Sequence, residues 1–98
     1  MSSSNDLATL RLSIEQALLG EVTSRLQAVT CGVQNRSITV RAYFRGSVTE
    51  QDVERIEMVG TEVIAHFPGG YMIKEECQSV DGCEAEMLDF WAFIRADD

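Results

Sequence analysis

The sequence predicts an α+β domain of order α-β-β-α-β-β, with a four-stranded, largely antiparallel sheet and two helices packed on one of its faces. Three observations predict it. Two stretches repeat apolar residues at helical spacing, the stretches between and after them alternate or run rich in β-branched residues, and turn residues separate them all. The 98 residues make one domain, since a chain of this size buries enough surface for one core and not for two.

In the first helix, expected over about 6–19, Leu7, Leu10, Ile14, Ala17 and Leu18 fall within about 80° of arc at 100° per residue. Asn5 or Asp6 is placed to cap its start and Gly20 to close its end, and residues 1–5 are expected to be disordered. Leu12 and Leu19 lie on the far side of this helix. They call either for further packing within the chain or for a partner, and further packing is the commoner solution.

Residues 25–33 and 37–45 read as a β-hairpin joined through Gln34, Asn35 and Arg36. In its second strand Ile38, Val40, Ala42 and Phe44 alternate with Thr39, Arg41, Tyr43 and Arg45, so one face is apolar. Thr49-Glu50-Gln51-Asp52 has the form of a capping box, which starts the second helix. The core stripe of that helix is Val53, Ile56, Val59, Gly60, Val63, Ile64 and Phe67, with Pro68-Gly69-Gly70 as the stop and Gly60 marking a close approach to the sheet. A third strand is expected over 71–80 and a fourth over 87–95. In the fourth, Leu88, Phe90, Ala92 and Ile94 point to the core, and Trp91 and Phe93 join Arg41, Tyr43 and Arg45 on the opposite, open face. A polar link, 81–86, joins these two strands.

Charge is the main functional signal. Sixteen acids against eight bases give −8, which argues against a protein that tracks nucleic-acid phosphates. Residues 1–49 hold three acids and five bases, a balance of +2, and residues 50–98 hold thirteen acids and three bases, a balance of −10. An acidic half of this kind raises the association rate of a basic partner. No apolar run is long enough to cross a bilayer, and the start has neither a basic segment nor an apolar one, so a cytoplasmic protein without membrane contact is expected.

The residues offer little for catalysis. His66 is the one histidine and sits where it can bond the last carbonyls of the second helix, a capping role rather than a chemical one. Cys31, Cys77 and Cys83 have no CxxC spacing and form neither a disulfide framework nor a zinc site. Cys31 and Cys77 read as small buried hydrophobes in strands, and Cys83 as exposed among acids that disfavour its thiolate. Glu75 and Glu76 are adjacent on a strand and so point to opposite faces. Glu50, Glu54 and Glu57 align within about 60° opposite the core stripe of the second helix. No metal, cofactor or catalytic residue is expected.

Ala17-Leu18-Leu19-Gly20-Glu21-Val22-Thr23, continuing through Leu26-Gln27-Ala28-Val29, and later Thr61-Glu62-Val63-Ile64-Ala65-His66-Phe67-Pro68, resemble a group of short bacterial proteins. With its small size and acidity, the chain resembles the immunity proteins of contact-dependent growth inhibition and related polymorphic toxin systems over about residues 14–80. The resemblance implies a binder that neutralises a cognate toxin domain, and it transfers no functional residue. The physical case runs in parallel, because a nuclease toxin must be basic to hold its substrate and an acidic inhibitor competes for those bases. The residues expected to meet such a toxin are Glu54, Glu57 and Glu62 on the second helix, Glu75 and Glu76 on the third strand, and Asp81, Glu84 and Glu86 in the link. Tyr43 and Trp91 are the anchor candidates if the open sheet face takes part. The alternative is a non-enzymatic adaptor or homodimer that associates through that sheet face.

Overall fold

The computed structural model of the chain describes residues 4–81 and 84–96. In chain order the elements are α1 (Ser4–Leu18), β1 (Leu26–Gln34), β2 (Ser37–Phe44), α2 (Glu50–Ile64), β3 (Met72–Ser79) and β4 (Phe90–Ile94). The order is the expected one, and α1 starts two residues before its expected beginning. The sheet runs β3-β2-β1-β4, with β1 antiparallel to β2 and to β4 and with β2 parallel to β3. The parallel pair follows from the connection: a helix between two neighbouring strands carries the chain back to the end where it began.

One core joins both helices to one face of the sheet. Leu10, Ile14, Ala17 and Leu18 of α1 and Ile56, Val59 and Val63 of α2 cover Val29, Cys31, Val33, Ile38, Val40, Ala42 and Phe44. Burial of these side chains drives the assembly, at roughly 1.5–3 kcal/mol for each large one. Val53, expected in the same stripe, stays partly exposed at the start of α2. Gly20 closes α1 with a φ of +80°, the left-handed value that glycine adopts without a Cβ clash. Leu12 and Leu19 are 65% and 78% exposed, so no further packing within the described residues covers them.

The hairpin turn places Asn35 and Arg36 at φ +51° and +64°, with Gln34 paired to Ser37 across a two-residue loop. Both side chains carry a Cβ that crowds the following carbonyl, but the short amide of asparagine can offset the cost by bonding locally, and the long arginine side chain does not. Arg36→Gly is expected to raise stability by up to about 1 kcal/mol, read as an upward shift of the urea midpoint with an unchanged slope.

Helix α2 begins on the predicted capping box: Thr49 Oγ1 accepts the Asp52 N–H at 3.1 Å, and Asp52 Oδ2 accepts the Thr49 N–H at 2.9 Å. It ends at Ile64, three residues before Phe67. Its last carbonyls are met by backbone, with the His66 N–H on the Val63 oxygen and the Phe67 N–H on the Ile64 oxygen, both at 3.1 Å. The His66 side chain is exposed beyond this turn.

The fourth strand departs from simple alternation. It begins at Phe90, and its register against β1 slips so that Thr30 faces Trp91 while Val29 faces Phe93. The extra residue, Ala92, turns the rest of the strand over. Phe93 now pairs with core-facing Val29 and packs against the core, whereas Ile94, expected inside, pairs with Ala28 and is exposed. Residues 87–89 do not extend the strand. The Thr30 hydroxyl accepts the Leu88 N–H at 2.8 Å and donates to the Phe90 oxygen at 2.7 Å, and Asp89 Oδ2 accepts the Val33 N–H at 3.0 Å.

Candidate functional site

The sheet face away from the helices is closed at its centre. Tyr43 is 1% exposed. Its hydroxyl accepts the Glu86 N–H at 3.0 Å and donates to the Glu86 oxygen at 3.2 Å, so the link lies over the ring. Trp91 is half-buried beside it, with ring centroids 6.4 Å apart. The alternation rule placed Tyr43 on an open face, and the segment that covers it is the polar link. A phenol donates and accepts at once, which lets it hold both backbone groups of Glu86.

The ten residues singled out from the sequence fall into three places. Glu76 stands on this same sheet face, where Arg41 Nε reaches it at 2.6 Å and Lys74 Nζ at 2.9 Å. Lys74 and Arg41 together hold the Glu76 carboxyl below the usual carboxylate range. Tyr43, Trp91 and Glu86 belong to this side of the molecule, Glu84 is exposed in the link, and Asp81, at the border, accepts the Gly46 N–H at 3.0 Å. Glu75 lies on the helix side, as adjacency to Glu76 requires, beneath Gly60 of α2. Glu54, Glu57 and Glu62 share the solvent face of α2.

Gly60 is the close approach that the stripe predicted. A Cβ there would stand 1.9 Å from Glu75 Oε2 and 2.8 Å from its Cγ. Burial, and secondarily the Glu57 charge, push the Glu75 carboxyl above its usual range against the pull of a backbone N–H. The folded state therefore holds this proton more tightly than the unfolded chain does, and stability from Glu75 is complete below the ordinary value of 4.5 and is lost as pH rises through the folded value. Glu75→Gln is expected to be more stable than the natural chain at pH 7, with the difference shrinking as pH falls toward 4.5. Urea midpoints of the two proteins across that range check this.

Asp52 runs the other way. Burial alone raises its carboxyl, but the Thr49 N–H, the Arg25 guanidinium at 2.6 Å and the Thr49 hydroxyl outweigh it and hold the group below its ordinary 3.8. Its stabilisation is present above that value and drains away only as pH falls below it.

Cys31 is fully buried and burial pushes its thiol up to about 12. Cys77 is half-buried, and burial, followed by the charges of Asp52, Glu57 and Glu75, pushes it up to about 11. Thiols this far from ionisation serve packing. Cys83 lies outside the described residues. Among the described residues no three His, Cys, Asp or Glu side chains stand close enough to share a metal ion. Among them, too, no helix is long and apolar enough to cross a membrane.

What remains exposed and coherent is the outer face of α2. Two adjoining shallow depressions run along it, one lined by Glu21, Gln51, Glu54, Arg55 and Met58, the other by Glu54, Glu57, Met58, Thr61 and Glu62. Arg55 is held by Glu21 at 2.9 Å. Helical spacing brings Glu50, Glu54 and Glu57 to this face, as the sequence required. Met58, absent from the residues the sequence singled out, is 58% exposed among them. An apolar residue on the polar arc of a well-patterned helix is the signal that marks it. Glu21, from the connection after α1, reaches the same face through a contact that no spacing along the chain reveals.

A family model described as MafI2 immunity protein matches residues 8–97 of the chain, which takes in all of β1 to β4 and α2 and all but the first four residues of α1. No curated protein matches it.

Proposed function

The chain belongs to the MafI2 immunity protein family, and from that membership we propose that it neutralises a cognate toxin domain by binding it through the glutamate face of α2. The reading rests chiefly on one observation. Glu50, Glu54, Glu57 and Glu62 stand exposed on one helix, and the cation beside them, Arg55, is occupied by Glu21. Arg25, Arg41 and Lys74 are likewise held in ion pairs with carboxylates of this chain. The field on α2 is therefore strongly negative, and it selects a basic partner.

A toxin that cleaves nucleic acid has such a surface, because it gains affinity for its substrate by neutralising phosphates with lysine and arginine. Carboxylates fixed on a helix compete for those side chains without chemistry of their own. The protein thus works as a non-enzymatic inhibitor, and it acts in the cytoplasm, where a nuclease finds its substrate. Co-expression with a cognate toxin domain is expected to give a complex that co-purifies at low salt and that weakens steeply between about 50 and 200 mM salt. A complex indifferent to salt, or a partner without a basic surface, would overturn this reading.

A further inference from the structure

The α2 face is not uniformly charged. Met58 stands at its middle and lines both depressions, together with Glu54 in both and with Glu57 and Glu62 in one. An exposed methionine between glutamates gives nothing to the fold, since the core stripe of α2 lies on its opposite side. A purely electrostatic competitor has no use for it. Methionine is unbranched and polarisable, and it adapts to apolar side chains of varied shape. We propose that this groove docks a cationic amphipathic segment, in which lysine or arginine side chains meet Glu54, Glu57 and Glu62 while an apolar side chain between them covers Met58.

The charge around the groove decides the occupant. A second copy of this chain would bring −8 overall against the same glutamates, and a segment bearing only cations would leave Met58 exposed. Alternating cationic and apolar side chains match both features at once. Charge then sets the encounter rate and the salt dependence, and the buried contact at Met58 slows dissociation. The proposal rests on the reading of α2 as the toxin-binding face and adds the chemistry of what that face accepts.

The test uses the full chain, isotope-labelled, and two synthetic peptides of equal length and charge. In one, lysine and leucine are placed at helical spacing; in the other, serine replaces leucine. The lysine–leucine peptide is expected to bind roughly tenfold more tightly at 150 mM salt, the scale of one buried apolar side chain. Amide shifts should centre on residues 54–62. Met58→Ser is expected to erase the difference between the peptides while leaving the weaker one unaffected; the side chain is exposed, so the fold survives the change. Equal binding of the two peptides with shifts on α2 overturns the apolar anchor and leaves the acidic face standing. Absence of α2 shifts with either peptide overturns both.

Discussion

Glu54→Lys combined with Glu57→Lys is expected to abolish protection against the toxin and to slow association roughly ten- to hundredfold at low ionic strength, within the range that electrostatic steering spans. Both side chains are exposed on α2, so the substitution leaves the core untouched. It reverses the sign of the field at the centre of the groove. At 0.15 M salt the screening length is about 8 Å, so charges on the same helix face act together and distant ones do not. The control comes from the separation of the acids. Glu84→Lys with Glu86→Lys changes net charge by the same amount on the link, whose Glu86 is held on the other face of the sheet, and is expected to alter association only slightly. Stopped-flow measurements at several salt concentrations distinguish the two. Equal slowing by both pairs means that net charge alone matters, and unchanged kinetics with the α2 pair means that α2 is not the binding face.

Replacing Tyr43 by alanine is expected to cost about 3–5 kcal/mol, the range for truncating a buried aromatic side chain, and to release the link over it. The ring is fully buried, packs against Trp91 and holds both backbone groups of Glu86 through its hydroxyl. Tyr43→Phe keeps the packing and loses the hydrogen bonds, so it is expected to cost only about 1 kcal/mol. Thermal melts give the two losses. Hydrogen exchange at Glu86 and Leu88 reports whether the link opens in both variants, as the hydrogen-bond assignment requires. Toxin binding should survive Tyr43→Phe, since Tyr43 lies on the sheet face away from α2. A tyrosine whose removal left stability unchanged while toxin binding failed would move the interface to the sheet.

Local regularity accounts for most of the fold. The 3.6-residue stripe of α1, the alternation in β2 and the capping box at Thr49 are short-range patterns, each set by which side chains can leave water from a helix or strand. They placed α1, β1, β2, α2 and β3 within a few residues, separated Glu75 from Glu76, and put Gly60 against the sheet. The glutamates of α2 were legible for the same reason, since residues three and four apart on a helix share a face.

Contacts between distant segments account for the features that were not legible. Ala92 adds one residue to β4 and exchanges the faces of Phe93 and Ile94, and nothing in an alternating run announces a bulge. The cover over Tyr43 comes from 43 residues further along the chain, in a link whose polar composition gave no sign of packing. Glu21 reaches the α2 groove through Arg55, 34 residues away. Which elements form, and that the second half is acidic, can be read along the chain because both are sums over neighbouring residues. Which acids stand together, which aromatic rings are sealed, and that Met58 lies uncovered at the centre of the charge emerge with the packed fold, because burial is a property of surfaces that meet in space.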